Sequence, residues 1–153
     1  MRFLHGLATI AALALAGSTL AQGSANHQVS VSIPTVLRLR LDHQVASHHA
    51  SVPVSVRVEG ALRAIDPTST RLEVFANTAW QLSVSYAPTA GAADLVLSWH
   101  ALGASGVLRA SSSVLGDGHA TGGWRPIDVT YELVSEPADG HYQGVIAYTL
   151  ARP

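Results

Sequence analysis

Three histidines lie close together in one short connection and raise the question of a metal site. His43, His48 and His49 fall between Asp42 and Ala50. Imidazole nitrogens are frequent ligands of Zn²⁺ and Cu²⁺. Their spacing matches no common ligand motif, however, and adjacent residues of a strand point to opposite sides. The pattern favours a solvated loop, no metal and no other cofactor, and leaves these histidines as weak metal candidates.

A second polar group invites comparison with a hydrolase. Ser111, Asp117 and His119 are near one another in sequence, but no Gly-x-Ser-x-Gly nucleophile elbow surrounds the serine. Asp128 and Glu132 share the polar face of one predicted strand. At about 3.3 Å per residue they would be roughly 13 Å apart, which exceeds either glycosidase geometry. We therefore predict that the protein is not an enzyme and keep a secreted hydrolase as the least favoured alternative.

Two arginines form a basic pair on the polar face of another strand. Arg38 and Arg40 alternate there with leucines. Guanidinium groups bind phosphate and carboxylate through charge-assisted hydrogen bonds, so the pair is a candidate contact for an anionic wall polymer. The alternative is a solvated face, because exposed charges usually contribute little.

Composition limits the class of partner. The chain has 153 residues, 9 basic and 10 acidic residues, a formal charge of −1, 48% hydrophobic residues and no cysteine. This length suits one domain, and the near-zero charge argues against a nucleic-acid partner. Without cysteine there is no thiol chemistry, no disulfide and no site for a lipid anchor.

Residues 1–21 predict a secretory signal peptide, which would be helical. Arg2 precedes an apolar run at Leu7–Ala16, and the small residues Thr19 and Ala21 suit signal peptidase. A membrane-spanning helix needs roughly twenty apolar residues, about twice this run. We expect cleavage after Ala21, a secreted protein at the cell surface, and no membrane span in the mature form.

The remainder of the chain alternates between apolar and polar residues. The clearest case is Val52 to Val58, where valines alternate with polar residues, and Pro53 there predicts a sheet edge because proline cannot donate a ladder hydrogen bond. Similar alternation begins at Val29, Leu37, Leu72, Trp80, Leu95, Ile127 and Tyr142. Short strands with Gly and Pro turns, and no helical periodicity, predict an all-β, antiparallel, immunoglobulin-like β-sandwich over residues 22–153.

Two aromatic-x-Leu segments carry a family resemblance. Trp80-Gln81-Leu82 lies in the middle of the chain, and Tyr148-Thr149-Leu150 lies near the end, after Gly140-His141-Tyr142. This arrangement resembles the WxL cell-wall-binding domain of Gram-positive surface proteins. The resemblance implies a β-sandwich that attaches non-covalently to peptidoglycan, with these motif residues at the binding site. The last strand is also similar to that of secreted bacterial coat and fimbrial subunits.

The aromatic residues have a competing interpretation. Trp80 and Tyr148 each share a strand face with aliphatic residues, a pattern typical of core packing. Trp99 closes a short strand and Trp124 follows a glycine-containing loop, so we expect exposed rings at both. An exposed ring can stack on a sugar, which makes Trp124 a further candidate for wall binding.

The predicted function follows from these observations. We predict a secreted, non-enzymatic surface protein that binds peptidoglycan or another wall polymer through a WxL-like sandwich, with surface proteins as further candidate partners. The alternative is a self-assembling coat or fimbrial subunit.

Overall fold

The computed structural model describes residues 30–90 and 95–153, and the predicted signal peptide at residues 1–21 lies outside them. Residues 33–153 form one compact unit. Among the described residues no helix is long and apolar enough to cross a membrane. The strands are β1 (Leu37–Leu41), β2 (Gln44–Val45), β3 (His49–Glu59), β4 (Leu62–Asp66), β5 (Ser69–Ala76), β6 (Trp80–Ala90), β7 (Leu97–Ala101), β8 (Ala104–Val107), β9 (Ser113–Gly118), β10 (Arg125–Leu133) and β11 (Gly140–Ala151).

The strands form two antiparallel sheets. Sheet A has the order β2-β1-β5-β10-β7-β8, and sheet B has the order β4-β3-β11-β6-β9. Along these strands the chain changes sheets seven times, after β2, β4, β5, β6, β8, β9 and β10. The prediction of an all-β protein with antiparallel, sandwich-like sheets is therefore confirmed.

The period-two alternation explains which side chains enter the core. In β3, Val54, Val56 and Val58 are buried while Arg57 and Glu59 are exposed. Burying a valine side chain stabilises a fold by roughly 1.5–3 kcal/mol before conformational entropy is counted. Because the chain has no cysteine, no disulfide stabilises the sandwich, and its stability depends on apolar contacts of this kind.

Pro53 lies where β3 has an open edge. β4 pairs with β3 only from Ser55 to Glu59. The first part of β3, His49–Val54, pairs with β11 and has no strand on its other side among the described residues. The prediction that Pro53 belongs to a sheet edge is thus confirmed.

Buried hydroxyl groups connect the two sheets. The Tyr131 hydroxyl on β10 donates to Thr70 Oγ1 at 2.7 Å and is also hydrogen-bonded to the Tyr148 hydroxyl on β11. Burial raises the pKa of Tyr131 to about 12, and the hydrogen bond to Thr70 offsets only part of this rise. The hydroxyl group therefore stays protonated in the folded protein well above the usual pKa of tyrosine, near 10.

This burial predicts a loss of stability at alkaline pH. Because the pKa of Tyr131 is higher in the folded state than in the unfolded chain, its stabilising effect is complete below pH 10. The effect is lost as the pH rises through about 12, up to about 3 kcal/mol. Urea unfolding measured at pH steps from 8 to 12 should show this decline. The Tyr131→Phe variant should decline less steeply, although not to zero, since burial also raises the pKa of Tyr86. Equal slopes for the two proteins would contradict the assignment to Tyr131.

Candidate functional site

The four residues of the aromatic-x-Leu motifs lie inside the sandwich. Trp80, Leu82, Tyr148 and Leu150 are all fully buried. The Trp80 indole Nε1–H donates to the His119 carbonyl at 2.8 Å. These side chains pack between the sheets and present no ring at the surface on which a sugar could stack.

The two remaining tryptophans differ in exposure. Trp99 is only 3% exposed, so the expectation of an exposed ring there is wrong. Its indole lies over Gly106 on the neighbouring strand β8, where an added Cβ would come within 2.9 Å of the ring. Trp124 is partly exposed immediately before β10, which leaves it as the tryptophan that can meet a ligand.

Trp124 and the arginine pair meet on the outer face of sheet A. Arg38 and Arg40 on β1 stand opposite Phe75 and Glu73 on β5. The Arg40 guanidinium carbon lies 3.9 Å from the centroid of the Trp124 ring, and the Phe75 and Trp124 ring centroids are 5.7 Å apart. We call these five residues the arginine–tryptophan surface. A guanidinium stacked on an indole is held in place while its N–H groups remain directed along the ring plane.

The electrostatics of this surface are only partly compensated. Arg40 Nη1 is 3.7 Å from Glu73 Oε2, a distance that allows attraction but is too long for a hydrogen bond. Both Arg40 Nε and Glu73 Oε2 are buried without a hydrogen-bond partner. Arg38 adds a second positive charge, so this surface carries two positive charges and one negative charge. The surface can therefore accept oxygen atoms of a ligand, preferably anionic ones.

The three candidate metal-ligating histidines do not converge. His43 Nδ1 lies 3.7 Å from Glu73 Oε2 at the margin of the arginine–tryptophan surface. The His48 and His49 rings are 4.1 Å apart, but His49 Nδ1 is hydrogen-bonded to Thr149 Oγ1 at 3.1 Å. Within residues 30–90 and 95–153 no group of three or more His, Cys, Asp or Glu could hold a metal ion.

The residues considered for hydrolysis do not form a common site. Asp128 lies 3.9 Å from Arg71, and Glu132 lies 3.6 Å from His100. Each carboxylate therefore faces its own basic partner on the outer face of sheet A. In the described part of the chain no hydrogen bond connects the side chains of Ser111, Asp117 and His119.

Sequence reasoning missed two members of the site. Glu73 and Phe75 fall on the outward face of β5, where alternation alone marks them as ordinary surface residues. The pairing of β1 with β5 and of β5 with β10 brings them beside Arg40 and Trp124. The sequence signal that could have found Phe75 is an aromatic residue on an otherwise polar strand face.

Comparison with known proteins identifies no relative of this chain. No family model matches the chain, and no significant similarity was found to curated proteins or to solved structures.

Proposed function

We propose that the protein is a secreted, non-enzymatic cell-surface protein that binds a cell-wall polymer non-covalently through the arginine–tryptophan surface. The observation that carries the proposal is the stacking of Arg40 on Trp124. These residues are far apart in sequence, and their side chains suit different ligands: the guanidinium an anionic group and the indole the face of a sugar. Their meeting supports one binding surface with both chemistries.

The chemistry of the surface favours an anionic, sugar-containing polymer. The accessible part of the Trp124 indole and the neighbouring Phe75 ring offer apolar area against the face of a sugar. The guanidinium groups of Arg38 and Arg40 can bind phosphate or carboxylate oxygens along the same polymer. With a formal charge of −1 for the chain, attraction would come from this local surface rather than from the net charge.

The aromatic-x-Leu motifs take a structural role in this proposal. Trp80 and Tyr148 would maintain the sandwich that positions the outer face of sheet A. We also assign the sandwich to the immunoglobulin-like type. This assignment is supported by two antiparallel sheets that share one core and by the repeated changes of sheet along the chain. The described residues form eleven strands, which adds short strands to the seven to nine of immunoglobulin domains.

A wall pull-down tests the proposal. The secreted chain, purified after export, is incubated with isolated Gram-positive cell walls, and the bound fraction is measured after sedimentation. Replacing both Arg40 and Trp124 with alanine should weaken binding by about ten- to a hundredfold, because both an ionic and a stacking contact are removed. Walls stripped of their phosphate-containing polymers should bind the unaltered protein less.

Arg71→Ala is the matched control. It removes the same charge from the same sheet face, but Arg71 faces Asp128 rather than Trp124. The control should bind like the unaltered protein. Equal wall binding by the double variant and the control, both folded by circular dichroism, would remove the support for this surface.

A further inference from the structure

The open part of β3 offers unpaired backbone groups. β3 and β4 are joined at Gly60 and Ala61, with Glu59 opposite Leu62. In a two-residue hairpin the flanking pair exchanges both hydrogen bonds, and alternate residues then face the same side. The N–H and C=O groups of His49 and Ser51 therefore point away from β11, toward the open side. Pro53 removes one donor from this edge but keeps its carbonyl.

The core is also incompletely covered along this edge. Val52 lies on the same strand face as the buried Val54, yet its side chain is only partly buried. Two surface recesses, of about 430 and 530 Å³, open at the two ends of the edge, the first lined in part by Ala50 and Ser51 and the second by Val52 and Pro53. An added strand would cover this surface.

A segment of the same chain has the complementary pattern. Residues 29–33, which we call the arm, read Val-Ser-Val-Ser-Ile. Of the described arm residues, Val31 and Ile33 are each 77% exposed, and residues 30–33 belong to no strand. Exposed apolar side chains that alternate with small polar ones, on a segment outside any strand, favour pairing with a sheet edge.

We propose that the arm of one copy of the protein adds as a strand to the open edge of β3 in a second copy. The edge, residues 50–54, reads Ala-Ser-Val-Pro-Val, so both segments alternate apolar with small uncharged residues and neither carries a charge. Pairing would place Val31 and Ile33 beside Val52 and continue the core by one strand. Val31 and Ile33 are exposed in the single chain, so their apolar area is available to a second copy.

Such pairing joins an arm of one copy to an edge of another. Two copies that exchange arms reciprocally form a closed dimer, and copies that each pass the arm onward form a ring or a filament. The edge belongs to sheet B, whereas the arginine–tryptophan surface lies on the outer face of sheet A. The inference therefore stands independently of the proposed wall binding, and assembled copies would still present that surface.

Sedimentation velocity over a concentration series tests the inference on the purified secreted chain. The unaltered protein should form concentration-dependent oligomers. Replacing both Val31 and Ile33 with asparagine should weaken self-association at least about a hundredfold, because the apolar area that would be buried is lost. The matched control, Ser30→Asn with Ser32→Asn, alters the opposite face of the arm and should still associate.

A second variant tests the edge itself. Ser51→Pro removes an N–H that faces the open side and no hydrogen bond to β11, so the protein should fold but associate at least about tenfold more weakly. Assembly that persists in both the arm variant and Ser51→Pro would overturn the proposal. An unaltered protein that stays strictly monomeric at millimolar concentration would also overturn it. A monomer whose arm amides are protected from hydrogen exchange would show that the arm pairs with the edge of its own copy, which is likewise contrary to the proposal.

Discussion

Replacing Trp80 with alanine should lower the free energy of unfolding by about 3–5 kcal/mol. The indole is fully buried between the sheets, and its Nε1–H donates to the His119 carbonyl. The ring also lies against Gly118, where an added Cβ would come within 2.8 Å of it. Alanine would leave a large cavity and an unpaired carbonyl. Urea unfolding followed by circular dichroism measures the change.

Trp124→Ala is the comparison that separates stability from binding. Trp124 is partly exposed at the surface of sheet A, so its truncation should cost about 1 kcal/mol or less. The effects on wall binding should be reversed. Trp124→Ala should bind walls more weakly, and Trp80→Ala, measured at a low temperature where it is folded, should bind them as the unaltered protein does. A Trp80→Ala protein of normal stability that fails to bind walls would show that Trp80 contacts the ligand.

Replacing Tyr148 with alanine should have an effect of similar size, about 3–5 kcal/mol. Its ring is fully buried, and its hydroxyl group forms the hydrogen bond to Tyr131 that joins the two sheets. Tyr148→Phe keeps the ring and removes only that hydrogen bond. It should cost about 1 kcal/mol, because the Tyr131 hydroxyl still donates to Thr70.

The difference between the two Tyr148 variants is measured by urea unfolding at neutral pH. If phenylalanine were as damaging as alanine, the hydroxyl network rather than ring packing would dominate at this position. Comparable stability of Tyr148→Ala and the unaltered protein would contradict the placement of the ring in the core.

The motifs behind the family resemblance show what sequence patterns can and cannot separate. Trp80 and Leu82 on one strand, and Tyr148 and Leu150 on another, have the same alternation whether their face is buried or binds a ligand. The register of β6 with β11, in which Leu82 lies opposite Leu150, places all four side chains in the core. We therefore propose that wall binding uses the arginine–tryptophan surface and not the motif residues.

The exposure of Trp99 and Trp124 also could not be predicted from their neighbours in sequence. Trp99 ends a short strand and Trp124 follows two glycines, and either position predicts an exposed ring. Gly106 lies opposite Trp99 on β8 and leaves room for the ring. That pairing is a contact between strands and is not encoded in the residues adjacent to Trp99.

The sequence by itself determined the local features of this protein. Period-two alternation predicted β1, β3, β5, β6, β7, β10 and β11, and Pro53 predicted an open edge, because side-chain direction and proline geometry depend on the residue and its immediate neighbours. The strand predicted from Val29 is wrong over residues 30–33, which belong to no strand, because alternation alone does not supply a pairing partner. Only the tertiary structure decided which faces are buried and which distant residues meet. Arg40 and Trp124 are joined by the pairing of β1 with β5 and of β5 with β10, and such long-range pairing depends on the packing of the whole chain.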